Sequence, residues 1–265
     1  AVGLKLLAEG RGGSFTLPAG GRRMAAANPP ECAVGGIPLA PPTANRLVHI
    51  DWEIPDSYSL RALITGRYPA YDLPVIPENA TRRMEADIRA AVGGYLSRTP
   101  GRLLSVPESE EQASKAWPSP RTWEYAVRLA AVVKVAGDDD GVLYLAFAGC
   151  VGEAIAGEVL EYIQNLDLPD PEEILANPAS LGKLRDDKML VLLGKVAQLA
   201  TEPDTDEDRY ERCWAVFARA AELGMADVAA AHTHTLIEVK DSRGFKLPTK
   251  HLKAFLPMLK AAGAL

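Results

Sequence analysis

From residue 77 to the end of the chain, apolar side chains recur at three- and four-residue spacing, and proline or glycine closes nearly every run. That pattern commits most of the polypeptide to helices. Met84, Ile88, Ala91, Val92 and Tyr95 share one face of a helix that opens at Pro77-Glu78-Asn79 and runs to about Ser97. Ser119-Pro120-Arg121 starts another, with serine as cap and proline in the first turn; Trp123, Val127, Leu129 and Ala130 continue it. The run VLYLAFAGCVGEAIAGEVLEYIQNL reads as one long helix, nearly apolar on all sides as far as Val151. PDPEEILANP holds a short helix between prolines, and Lys188 to Ala200 forms another. The acidic loop EPDTDED caps the next, Arg209 to Leu223, which carries Trp214, Phe217 and Ala221. Ala226 to about Val239 and Lys250 to Ala262 complete the series. Paired helices recur, without a convincing fixed-period repeat.

The first quarter reads differently. Leu4, Leu7 and Ala8 have helical spacing, and a short hairpin is expected around Ser14 to Pro18. RRMAAA, from Arg22, and LVHIDW, from Leu47 to Trp52, read as strands. Between them, Pro29 and Pro30 keep the chain extended as it leaves the first, so Asn28 would project from a sheet edge. Arg46 follows a loop too rich in proline for a helix interior. Asp56 or Ser57 can cap a helix through SLRALITGRY, with Leu60, Leu63 and Ile64 on one face. YPAYDLPVIP is an extended linker.

Two stretches carry a family resemblance. AANPPE (Ala26 to Glu31), AVGG and ANRLVHIDW, followed by WPSPRTWEYA (Trp117 to Ala126), resemble the MoxR-like branch of the AAA+ ATPases. The resemblance covers about Leu17 to Leu129 and is looser beyond. It implies that Asn28 is the sensor-one asparagine, Arg46 an arginine finger and Arg121 the sensor-two arginine. It also implies ATP and Mg2+ as cofactors of the complete protein, a homo-oligomeric ring, and protein clients that the ring remodels. Where the family usually has Asp-Arg at the finger position, this chain has Asn45-Arg46.

Two parts of such an ATPase are not in this sequence. No G-x-x-x-x-G-K-[ST] loop occurs: Gly182-Lys183 and Gly194-Lys195 are followed by Leu184 and Val196. The acids of VVKVAGDDD come after the sensor-two segment, so they read as a helix-ending loop rather than a magnesium strand. The expectation is therefore the back portion of a larger ATPase, inactive alone. The resulting architecture is mainly α. A small α/β remnant of an AAA+ core (residues 1–56) precedes a helical lid with the sensor-two helix (57–170) and further C-terminal helices (171–265).

Composition excludes some classes. A net charge of -6 argues against a broad nucleic-acid footprint. Cys32, Cys150 and Cys213 form no CxxC pair, which fits a reducing compartment. No apolar run reaches the roughly 20 residues that span a bilayer, and no signal pattern opens the chain. The reading is a cytoplasmic protein without a membrane span. No metal site is expected: His232 and His234 lie two apart, about 200° around a helix, and cannot share a ligand. His49 alternates with Val48 and Ile50, so it faces the other way, either hydrogen-bonded to Asp51 or satisfied elsewhere in a sheet. A second reading, from a different class, is a non-catalytic helical adaptor module that binds a partner protein.

Overall fold

The computed structural model describes residues 5–6, 10–18, 23–28, 32, 38–52, 56–67, 75–137, 139–253 and 255. The chain is mainly helical, and it divides into two compact units. One comprises Ala1–Pro77 and Gly101–Gly157, the other Glu78–Pro100 and Glu158–Leu265. These units cut across the three-part division drawn from the sequence.

In the first unit, β1 (Arg11–Gly12) and β2 (Phe15–Thr16) form the expected hairpin. They are the only strands among the described residues. The strands read at RRMAAA and LVHIDW do not form. Residues 23–28 are exposed with no strand pairing, and Arg22 lies outside the described residues. Residues 48–52 form no strand. Alternation specifies only an extended backbone; a strand needs a neighbouring chain to bond, and no strand pairs with either segment among the described residues. One backbone bond stands in for a ladder: the His49 N–H donates to the Gly149 carbonyl at 2.7 Å.

The helices of this unit are α1 (Pro41–Ala44), α2 (Asp56–Thr65), α4 (Glu110–Ala113), α5 (Pro120–Ala136) and α6 (Asp140–Val151). The capping that the sequence suggests at Ser119 is present, and α5 ends before Gly137, whose φ of 152° no other residue adopts readily. The acids after Gly137 end a helix, as expected; the Asp139 side chain caps α6. α5 packs on α6, and Trp123, Ala126, Val127 and Ala130 of the one and Leu143 and Phe147 of the other are buried. The long apolar run is two helices, not one. Gly152, at φ 88°, breaks it, and α7 (Glu153–Gln164) follows. Positive φ at that glycine outweighs the apolar periodicity on either side.

In the second unit, α3 (Glu78–Arg98) packs on α9 (Asp186–Ala200). The approach is close because small residues line it. A Cβ on Gly94 would lie 2.6 Å from Val191 Cγ2, and one on Gly194 would lie 2.9 Å from the Ala90 Cβ. Around this pair stand α8 (Pro171–Ala176), α10 (Glu207–Glu222), α11 (Ala226–Ala230) and α12 (Thr233–Arg243). α10 supplies the centre of the core, with Tyr210, Trp214 and Phe217 all sealed from solvent. Asp206 in the acidic loop caps it, accepting from the Arg209 N–H at 2.7 Å. The helix read from Ala226 to Val239 is broken at Ala231 and His232, between α11 and α12. Where a helix was read from Lys250, Thr249–His251 form a 3-10 turn; residues 256–262 lie outside the described set.

Candidate functional site

The best-built polar junction is in the first unit, where the chain around Asn45 meets the start of α5. Two prolines open α1, and Asn45 closes it, its N–H donating to the Pro41 carbonyl at 3.0 Å. Asn45 is 4% exposed, so each of its polar atoms needs a partner. Its Nδ2 donates to the Trp117 carbonyl at 3.2 Å. Its Oδ1 accepts from Ser119 Oγ at 2.8 Å and from Arg121 Nη1 at 3.4 Å.

Ser119 is held from both sides. Its hydroxyl accepts the Thr122 N–H, and its own N–H donates to Thr122 Oγ1 at 2.8 Å, a reciprocal cap. Below it, the Trp123 indole donates to the Arg102 carbonyl at 2.9 Å and the Trp117 indole to the Ala113 carbonyl at 3.2 Å. The α5 N-terminus is thus fixed, while the Arg121 side chain leaves it exposed to solvent. Arg46, the next residue after Asn45, donates from Nη1 to the Pro42 carbonyl. His49 is half-buried, with Val48 and Ile50 outward, as the alternation implies. Its partner is not Asp51: Nε2 lies 2.9 Å from the Ala44 carbonyl, which makes Nε2 the protonated nitrogen.

Of the three sequence-predicted residues, Arg121 belongs to this junction and Arg46 adjoins it only along the chain. Arg121 bonds the side chain of the residue that precedes Arg46. Asn28 is exposed, and no hydrogen bond joins it to Arg46, Asn45 or Arg121 among the described residues. Sequence reasoning treated Asn45 only as a departure from a family pattern and Ser119 only as a cap. Their pairing spans 74 residues, and a single sequence carries no signal for it.

The Arg121 guanidinium, beside a capped helix start, suits an anion with several oxygens. A guanidinium offers a divalent cation nothing. Among the described residues, no three His, Cys, Asp or Glu stand close enough to hold a metal. His232 Nε2 lies 3.1 Å from the Leu190 carbonyl and is half-buried, while His234 is exposed.

The second unit has a cleft of about 480 Å³ whose lining includes Tyr95, Arg98, Glu158, Tyr162, Arg185 and Lys188. Several of its polar groups are paired within the fold. Buried Asp187 accepts from Arg185 Nε at 2.7 Å and Nη2 at 2.8 Å, and from the Tyr162 hydroxyl at 3.0 Å. Lys188 donates to the Asp167 carbonyl and Tyr95 to Glu158, each at 2.8 Å. This is a structural network. Burial pushes the Asp187 carboxyl up, but the hydrogen bonds from Arg185 and Tyr162 outweigh it and hold the group below its ordinary 3.8. The unfolded carboxyl then takes its proton first as pH falls. Stability from this group is whole above pH 3.8 and is lost below it, until the folded carboxyl also protonates. Urea midpoints at pH 5 and pH 3 are expected to differ less in Asp187→Asn than in the parent chain.

Compared with known proteins, the chain matches no protein family, no curated protein and no solved structure.

Proposed function

We propose that this chain supplies the sensor and lid residues of an AAA+ ATPase of the MoxR-like branch. In the complete protein it would serve a homo-oligomeric ring in the cytoplasm that uses ATP and Mg2+ to remodel protein clients. Residues 1–56 then belong to the α/β core, residues 57–170 to the lid and residues 171–265 to further C-terminal helices. Arg121 contacts the terminal phosphates. Arg46 reaches the γ-phosphate of a neighbouring subunit and stabilises charge in the transition state. Asn28 helps to orient the attacking water. The observation that carries this reading is the junction itself: the exposed Arg121, at the capped first turn of α5, rests on the side chain next to Arg46.

The test is ATP turnover in the full-length protein. Arg121→Ala is expected to lower it about tenfold, the loss of one charged contact to a phosphate. Asn28→Ala is expected to lower it as well. In calorimetry, the 265-residue chain alone is expected to show no micromolar affinity for ATP, because the phosphate loop is not in this sequence.

A second reading, the partner-binding adaptor, is favoured by α2. Leu60, Leu63 and Ile64 stand at helical spacing and are 57%, 81% and 74% exposed. An apolar stripe left in water is the mark of an interaction face. If neither Arg121→Ala nor Asn28→Ala lowers turnover, the adaptor reading stands and the ATPase reading falls.

A further inference from the structure

We propose that Asn45 is the positioning residue for Arg121, setting where its guanidinium waits for an oxyanion and linking that position to Arg46. The phosphate part of this rests on the ATPase reading above; the positioning part does not.

The argument starts from the amide. Asn45 needs a donor on one side, for the Trp117 carbonyl, and an acceptor on the other, for Ser119 and Arg121. Only an amide of this length offers both. A carboxylate would face the Trp117 carbonyl oxygen with another oxygen. It would also hold Arg121 through its charge. Asparagine holds Arg121 by one long bond of 3.4 Å to an acceptor already shared with Ser119. A neutral, shared acceptor aims the guanidinium without competing strongly for it, so a phosphate oxygen can take its place.

The same side chain ties two elements. Through its backbone N–H, Asn45 closes α1; through Oδ1 it meets the cap of α5. Arg46 follows directly and bonds back into α1 at Pro42. Withdrawal of Arg121 leaves Oδ1 with Ser119 alone, and the turn that carries Arg46 feels that change first. The two basic residues are thereby coupled through one amide.

Opposite signs test the positioning. Asn45→Ala and Asn45→Asp both delete the bond to the Trp117 carbonyl, so both lower stability. In 15N relaxation of the 265-residue chain, the Arg121 Nε–H is expected to become more mobile in Asn45→Ala and less mobile in Asn45→Asp. Should one variant fail to fold, the other decides by its own sign. Shifts of the same sign in both, or no shift, overturn the proposal, because a merely structural role moves both alike.

The coupling to phosphate is read in the full-length protein. Asn45→Ala is expected to raise KM for ATP about fivefold, the worth of one hydrogen bond, with a smaller effect on kcat. Adding it to Arg121→Ala is expected to raise KM no further. An additive increase overturns the coupling. If Arg121→Ala itself leaves KM and kcat unchanged, the phosphate role falls, and the ATPase reading falls with it when Asn28→Ala is silent too, while the relaxation signs still decide whether Asn45 positions Arg121.

Discussion

Gly149→Ala is expected to destabilise the first unit by about 1–3 kcal/mol, the usual cost of forcing an extra carbon into a filled space. In an open helix the same change would stabilise by about 0.5–1 kcal/mol, because alanine loses less backbone freedom on folding. Here the space is closed. A Cβ on Gly149 would stand 2.4 Å from the His49 carbonyl oxygen and 3.0 Å from Val48 Cγ1. The oxygen belongs to backbone, so it cannot swing aside. Residues 48 and 49 must lift off α6, and the His49 N–H loses the Gly149 carbonyl. His49 also bonds the Ala44 carbonyl, so the disturbance reaches Asn45.

Gly157 is the control. It lies in α7, and a Cβ there meets nothing within 4 Å. Gly157→Ala is expected to raise stability. Urea unfolding by tryptophan fluorescence, in a Trp214→Phe background, reports on the first unit alone, since Trp52, Trp117 and Trp123 all lie in it. Equal midpoints for Gly149→Ala and its parent would mean that the 48–49 segment does not cross α6 there.

Trp214→Ala is expected to cost the second unit about 3–5 kcal/mol, the range for truncating a buried aromatic ring. Trp214 is fully buried in α10. Its ring lies 6.5 Å from Tyr210 in an edge-on arrangement, 6.2 Å from Phe217 and 6.3 Å from Phe255. These contacts hold α10 to the segment around Leu252 and Phe255. Truncation opens a cavity that three rings and several leucines cannot all move to fill. A typical domain has only about 5–15 kcal/mol to lose, so this one change takes a large share. Circular dichroism during urea unfolding measures it, and a midpoint shift under a quarter of the parent value would contradict the packing described here.

Much of the helical fold is legible in the sequence. Local chemistry specified the start of α5, where serine, proline and threonine at positions 119, 120 and 122 make a cap from three neighbouring residues. It specified α3, α9 and α10, whose buried faces repeat within one or two turns. It also placed the end of α5 at Gly137. These features are decided by interactions a few residues long, and a sequence states those directly.

The breaks at Gly152 and at His232 were not legible, because a glycine or histidine within an apolar run is compatible with either outcome until packing chooses. Strands at 22–27 and 47–52 depended on partners, and only the tertiary structure says whether a partner is there. The Asn45 junction depended on residues more than 70 positions away. The sequence alone determined which side chains carry charge and which segments coil into helices. Only the folded chain decided that Arg121 rests on the amide beside Arg46, because a hydrogen bond between distant residues is a property of proximity, and proximity is created by packing.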